Sequence, residues 1–367
     1  MKNLNLVAMS LGLVAVAGLA AAQSGQSSPD GYHVAKTVSI PNPGGGWDYL
    51  GIDTPARRLY VSAGAQEDVI NADTYQLEGT VSGLQGTHGV AISDRDGHGF
   101  TSNGGSNSMT EFSLKTLKTI KVIPLPIPRP DGIIYDPATD RIFAFNHAQK
   151  NALAVAVDAK TGKVAGTITL PSRAAEYAAA DGRGHVFDNM EDSSQEIEID
   201  AHTLKIIHTW PLAPCEGPSG LAIDAAAHRL FVGCHNKLMA IVNSDTGKVV
   251  ATEPIGGGVD ATRFDPGTKL AFSSNGSDNG SITVIHEDSP DSYTVVGNIP
   301  TQSGARTMEV DTQTHTLFTV TAKYEPRPPA PPASASAGGA RSGRGRGRYQ
   351  RRKMVPGSFS LLVIPKG

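Results

Sequence analysis

The feature that most constrains this chain is an internal repeat. Seven stretches open alike: YLGIDTPARRLYVS, HGVAISDRDGHGFTSN, DGIIYDPATDRIFAFN, EYAAADGRGHVFDN, SGLAIDAAAHRLFVGC, ATRFDPGTKLAFSSN and RTMEVDTQTHTLFTV. Their aromatic landmarks, Tyr60, Phe100, Phe143, Phe187, Phe231, Phe272 and Phe318, recur every 40 to 46 residues. A period of this size marks a repeat architecture, in which no unit buries its apolar face alone and each stacks on its neighbours. After each landmark come a turn and alternating strands, as in ALAVAVDAKTGKVAGTITL and LMAIVNSDTGKVVATEPI, where Asp, Thr and Gly supply the turn chemistry. Four short strands per unit predict an all-β, seven-bladed β-propeller of four-stranded antiparallel blades. The last unit ends at SFSLLVIP without a fourth strand, while YHVAKTVSI (32–40) resembles fourth strands such as KIIHTWPL and YTVVGNI. The N-terminal strand is therefore expected to close the last blade, which removes an exposed sheet edge.

The D-x-x-x-x-R-L-[FY]-V cadence followed by a TGKV-type hairpin resembles the YVTN-type β-propeller repeat family, the YncE-like proteins of bacterial envelopes. The resemblance covers nearly all of residues 32–365. It implies the propeller architecture and a binding or scaffold role with varied ligands; it implies no particular reaction.

Residues 1–22, MKNLNLVAMSLGLVAVAGLAAA, carry one Lys, an apolar stretch and a small-residue end at Ala20-Ala21-Ala22. They read as a cleavable signal peptide, followed by a flexible linker at 23–31. A membrane anchor is the alternative, but the polar QSGQSSPDG that follows is no stop-transfer flank. No later stretch is apolar over the roughly 18 residues a span needs. The expected location is periplasmic or secreted, without a membrane span after cleavage. A closed propeller has no free strand edge to pair with a second copy, so a monomer is expected.

The residues that begin the inner strands should share one mouth of a central funnel. They are Asp48, His88, Asp131, Glu176, Ser219, Asp260 and Arg306. Charged groups at the start of strands otherwise rich in Ala, Gly and Ile favour a ligand site over a solvated rim. Second strands end at the same mouth, at Ala63, Asn103, Asn146, Asn189, Cys234, Asn275 and Thr321. Asn is a poor strand former. Asn103, Asn146 and Asn275 therefore read either as loop formers or as funnel ligands. The Asp residues heading the first turn of each repeat (Asp53, Asp136, Asp181, Asp224, Asp265, Asp311, with Ser93 in the second) read as Asx caps rather than a metal site.

Cys215 and Cys234 flank one hairpin, and in an exported protein a disulfide is expected. A thiolate metal site with His235 is the competing reading, and it lacks a fourth ligand nearby in sequence.

Two function classes fit. One is a non-catalytic binding or scaffold protein whose funnel holds a small polar ligand or a protein partner. The other is a metal-dependent hydrolase or lyase, lactonase-like with Glu176, Asn146, Asn275 and Asp260 as oxygen ligands, or streptogramin-lyase-like on the likeness of EGPSGLAID. No His-Glu-x-x-His, Gly-x-Ser-x-Gly, phosphate loop or haem-attachment motif occurs. No cofactor is expected on the first reading and a divalent cation on the second.

The stretch 323–356 replaces a short turn of the last blade with a Pro/Ala-rich half and the tract RSGRGRGRYQRRK. Without Lys2 of the leader the chain holds 31 basic and 35 acidic residues, and seven of the basic ones fall within 341–353. The body is thus acidic, which argues against a general nucleic-acid surface. The tract, through Arg344, Arg346, Arg348, Arg351 and Arg352, is a candidate for an extracellular polyanion. Its composition predicts disorder. Deleting residues 326–354 should leave the melting temperature within a few degrees of the parent, and a large fall by calorimetry would refute a passive insertion.

Overall fold

The computed structural model describes residues 29–41, 46–326 and 353–367. The expected leader and the five tract arginines lie outside these residues. Helical structure among the described residues is confined to two three-residue 3-10 turns, Pro29–Gly31 and Glu191–Ser193. No helix there is long and apolar enough to cross a membrane.

The strands form five separate four-stranded sheets and one sheet of seven strands, every pairing antiparallel. A representative sheet meanders through Pro218–Asp224, Arg229–Cys234, Leu238–Asn243 and Val249–Pro254. The seven-stranded sheet owes its size to one long strand, Leu77–Ser93. Its first part, Leu77 to Ser82, pairs back onto Gly64–Asn71, and Thr87 to Ser93 pair forward onto His98–Asn103. Gly83 and Gly86, at φ +81° and +67°, turn the strand between these two ladders.

The innermost strands touch in a closed cycle. Leu50–Asp53 neighbours Leu77–Ser93, which neighbours Pro130–Asp136; then follow Ala175–Ala180, Pro218–Asp224, Val259–Asp265, Met308–Asp311 and Leu50–Asp53 again. This is a β-propeller. Lys36–Ser39 pairs with Ser360–Ile364, with Lys36 opposite Val363 and Ser39 opposite Ser360, so the N-terminal strand does complete the last sheet. Pro29–Gly31, expected as part of the linker, is instead a turn whose Pro29 carbonyl accepts from Tyr32 N at 3.0 Å.

The repeat is written into the core. Seven apolar clusters lie among the described residues, and each contains one landmark aromatic, from Tyr60 to Phe318. All seven landmarks are buried, and burying a large apolar side chain stabilises by roughly 1.5–3 kcal/mol. Outer strands face solvent, as Thr119–Pro124 and Lys205–Pro211 do along most of their length. The turn aspartates are Asx caps. Asp53 Oδ1 accepts from Ala56 N at 3.0 Å, Asp224 Oδ1 from Ala226 N at 2.9 Å and Asp265 Oδ1 from Gly267 N at 3.0 Å.

Cys215 and Cys234 form a disulfide across 5.6 Å between Cα atoms, which excludes the thiolate metal site. The 323–356 stretch is not irregular at its ends: Tyr324 bridges Met354, Glu325 N donates to Lys353 O and Val355 N to Lys323 O, both at 2.8 Å.

Tyr32 locks the closing strand by packing edge-on to Phe272, centroids 5.5 Å apart, in a fully buried position. Tyr32→Ala should lower unfolding stability by about 3–5 kcal/mol in urea titration, the usual loss for a buried aromatic. An unchanged midpoint would show that closure does not depend on this contact.

Candidate functional site

What sets the site is how tightly neighbouring inner strands approach. A Cβ on Gly132 would lie 2.7 Å from the Glu176 carbonyl oxygen, and one on Gly220 would lie 2.4 Å from Thr262 N. Only glycine, third in the strands Pro130–Asp136 and Pro218–Asp224, admits that contact. These approaches sit beside Asp131 and Ser219, near the ends of the inner strands that share one mouth of the axis.

There the expected residues meet. His88 Nδ1 lies 2.7 Å from Asp48 Oδ2 and 3.3 Å from Asp131 Oδ1. Arg306 binds Asp260 through Nη1 and reaches Asp48 Oδ1 at 3.5 Å through Nη2. Glu176 Oε2 lies 2.8 Å from Nε2 of His147. Ser219 is buried and takes no part beyond its carbonyl, which accepts from Asn189 Nδ2 at 2.8 Å.

The ring sets four carboxylates, Asp48, Asp131, Glu176 and Asp260, against the Arg306 guanidinium and the imidazoles of His88 and His147. Burial pushes Asp260 up to about 7; Arg306 opposes this, while Asp48, Glu176 and Asp131 add to it. Burial likewise lifts Asp131 to about 6, against the pull of His88. Burial lowers the His88 imidazole, but Asp48 and Asp131 outweigh it and leave it raised. The ion pair with Glu176 raises His147 to about 9. Carboxyls that titrate above their unfolded values bind the extra proton in the folded state. Their stabilising contribution is therefore complete below about pH 4 and is lost as pH rises through about 6 for Asp131 and 7 for Asp260.

Beneath the ring the channel is floored by a polar plug. Arg263 Nε donates to Glu309 Oε1 at 2.9 Å and Nη2 to Tyr177 OH at 2.6 Å, and the guanidinium sits 4.7 Å over the Tyr177 ring. Tyr49 packs edge-on to Tyr177 at 4.7 Å. Beyond the plug, a cavity of about 340 Å³ opens at the opposite mouth, walled by Ile52, Leu221, Ile223 and Phe264 with Arg263 and Glu309 at its base.

The three asparagines proposed as funnel ligands do not join the ring. Asn103 donates to Thr110 Oγ1 at 2.9 Å, Asn275 to Thr283 Oγ1 at 2.9 Å, and Asn146 to Pro128 O at 2.7 Å. Each side-chain oxygen also accepts a bond, from Thr101, Ser273 and Leu153 N respectively. All three are buried, and their amides bond chiefly to second- and third-strand residues of their own sheets.

The residues the sequence reading missed stand one position further on. Four residues past the landmarks stand Gly64, Gly104, His147, Glu191, His235, Gly276 and Ala322. His147 reaches Glu176, and His235 Nδ1 lies 3.4 Å from Glu191 Oε1. The glycines of this set leave room for ring side chains: a Cβ on Gly104 would lie 2.8 Å from His88 Nε2, and one on Gly276 would lie 2.7 Å from Arg306 Cβ. A set that alternates glycine with His and Glu was the available signal. The Arg263–Glu309 pair was also legible, as charges at the fourth position of inner strands where the others carry Gly, Ala or Ile.

No protein-family model and no curated protein matches the chain. Solved structures match its shape. A chain of "Crystal Structure of Mitotic Checkpoint Complex" superposes with TM-score 0.69 at 13% identity, over 87% of this chain and 96% of that one. "Structure of U3-55K" gives 0.69 at 9%, over 91% and 100%. "Crystal structure of RRP9 WD40 repeats" gives 0.68 at 8%, over 91% and 98%. Identities this low show the β-propeller fold alone.

Arg306 is the ring's fixed cation, so Arg306→Gln should raise the Asp260 titration further above about 7. Carboxyl carbon NMR against pH reads this directly, and an unmoved midpoint would refute the coupling.

Proposed function

We propose that the chain is an exported, YncE-like propeller that binds a small polar ligand of positive charge at the axial ring. Counting Leu77–Ser93 as the outer strand of one blade and the inner strand of the next makes seven blades. The supporting observation is the charge balance of the mouth. Asp48 and Asp260 pair with the Arg306 guanidinium, Asp131 with His88 and Glu176 with His147, and burial with crowding holds Asp131 and Asp260 well above the ordinary carboxylate range. A bound cation relieves that repulsion, and each carboxylate it meets gains a charge-assisted hydrogen bond. The disulfide fits an oxidising compartment and so favours export.

The lactonase-like alternative is weakened on this chain, because Asn146 and Asn275 spend both ends of their amides inside the blades. No observation favours a lyase.

Thermal-shift assays with choline, spermidine and arginine amide, set against acetate and glucose, test the proposal. The cations should raise the melting temperature, and Asp260→Asn should remove most of that rise. Stabilisation by acetate alone, or by no compound in the set, would overturn it.

A further inference from the structure

Within the acidic mouth, one group of side chains differs from the rest. His147, Glu176 and Glu191 each present a ligand atom, and these atoms all lie within 4.8 Å of one another. They come from different parts of the fold: His147 follows the strand Arg141–Asn146, Glu176 is second in the inner strand Ala175–Ala180, and Glu191 opens the turn Glu191–Ser193. The Glu191 backbone is fixed by its N–H donating to Ala174 O at 2.9 Å.

The companion group, Asp48, His88 and Asp131, is internally satisfied. Its imidazole hydrogen-bonds Asp48 at 2.7 Å, and the Arg306 guanidinium stands 3.5 Å from the same carboxylate. A metal ion there would meet a fixed positive charge. The His147 group has no guanidinium beside it; the imidazole of His147 is paired with Glu176 alone. Nε2 of His147 is shielded from solvent and lies 2.8 Å from Glu176 Oε2, an ion pair in which the ring N–H is poorly aligned with the carboxylate. Among the described residues Glu176 has no other ion-pair partner, and Glu191 has only His235 at 3.4 Å; neither carboxylate accepts a hydrogen bond. A nitrogen and two carboxylates thus converge within 4.8 Å with a single poorly aligned ion pair among them, a donor set that one metal ion could engage together.

We infer that His147, Glu176 and Glu191 bind a divalent transition-metal ion of the zinc class, with His235 holding Glu191 in place. This rests on the reading of the ring as a cation site and names one cation for it. Mixed imidazole and carboxylate donors suit zinc-type ions. Calcium and magnesium favour oxygen alone. Three protein ligands leave coordination positions free toward the axis. Both thiols are tied in the disulfide, so they offer no rival zinc site.

The test uses untagged full-length protein, stripped with chelator and titrated with zinc against a chromophoric chelator in excess magnesium. One zinc per chain is expected. His147→Ala and Glu176→Gln should each weaken it by at least about 100-fold, and His235→Ala by roughly 10-fold, the usual loss for a residue that orients a ligand. His88→Ala should leave the affinity within about two-fold, and circular dichroism checks that each variant is folded. Absence of stoichiometric zinc, or zinc that survives His147→Ala but not His88→Ala, would overturn the inference. If zinc fails while spermidine still stabilises through Asp260, only the metal assignment falls; if both fail, so does the cation-binding reading.

Discussion

The ring at the axis depends on the spacing of neighbouring inner strands, and at two of its joints that spacing requires a residue with no side chain. Gly132 and Gly220 stand where a methyl group would strike the next strand's backbone. Their absence of bulk brings carboxylates of adjacent repeats within reach of one another, which is electrostatically costly. The fold sustains that cost with apolar layers outside the ring, each centred on a landmark aromatic. Strong inter-sheet packing thus carries a weakly compensated polar centre, the usual relation between a rigid scaffold and the site mounted on it.

The same division explains what was legible in the sequence. Landmark aromatics, turn aspartates and the closing strand follow local rules of periodicity, capping and edge pairing, and they could be placed by counting. The strand-start residues were found because they share one register. Asn103, Asn146 and Asn275 also share a register but are bonded within their own sheets, and only three-dimensional hydrogen bonding separates the two cases. His147, Glu191 and His235 belong to a register in which glycine is as frequent as function, so it reads as loop until the neighbours are seen. Partnership between repeats is long-range, and the repeat pattern alone does not say which side chain meets which.

The two mouths of the channel are chemically unlike. One is an acidic rim with imidazoles; the other is an apolar-walled cavity ending on Arg263 and Glu309. The buried plug between them is a fully bonded ion pair. Removing one partner would leave an uncompensated buried charge, a far larger penalty than the pair's own net contribution. The plug therefore separates two environments that would otherwise form a single water-filled bore.

The strand Leu77–Ser93 gives the ring an asymmetry that the repeat does not suggest. Elsewhere among the described residues, adjacent sheets share no strand and are joined along the backbone only by isolated contacts, such as the His147–Ala174 bridge and Gly304 N donating to Gly276 O. Here two sheets share one continuous hydrogen-bonded strand, so opening either one strains the other. This sector should behave as a single cooperative unit in local unfolding, and the weak joints of the ring are to be sought on its far side.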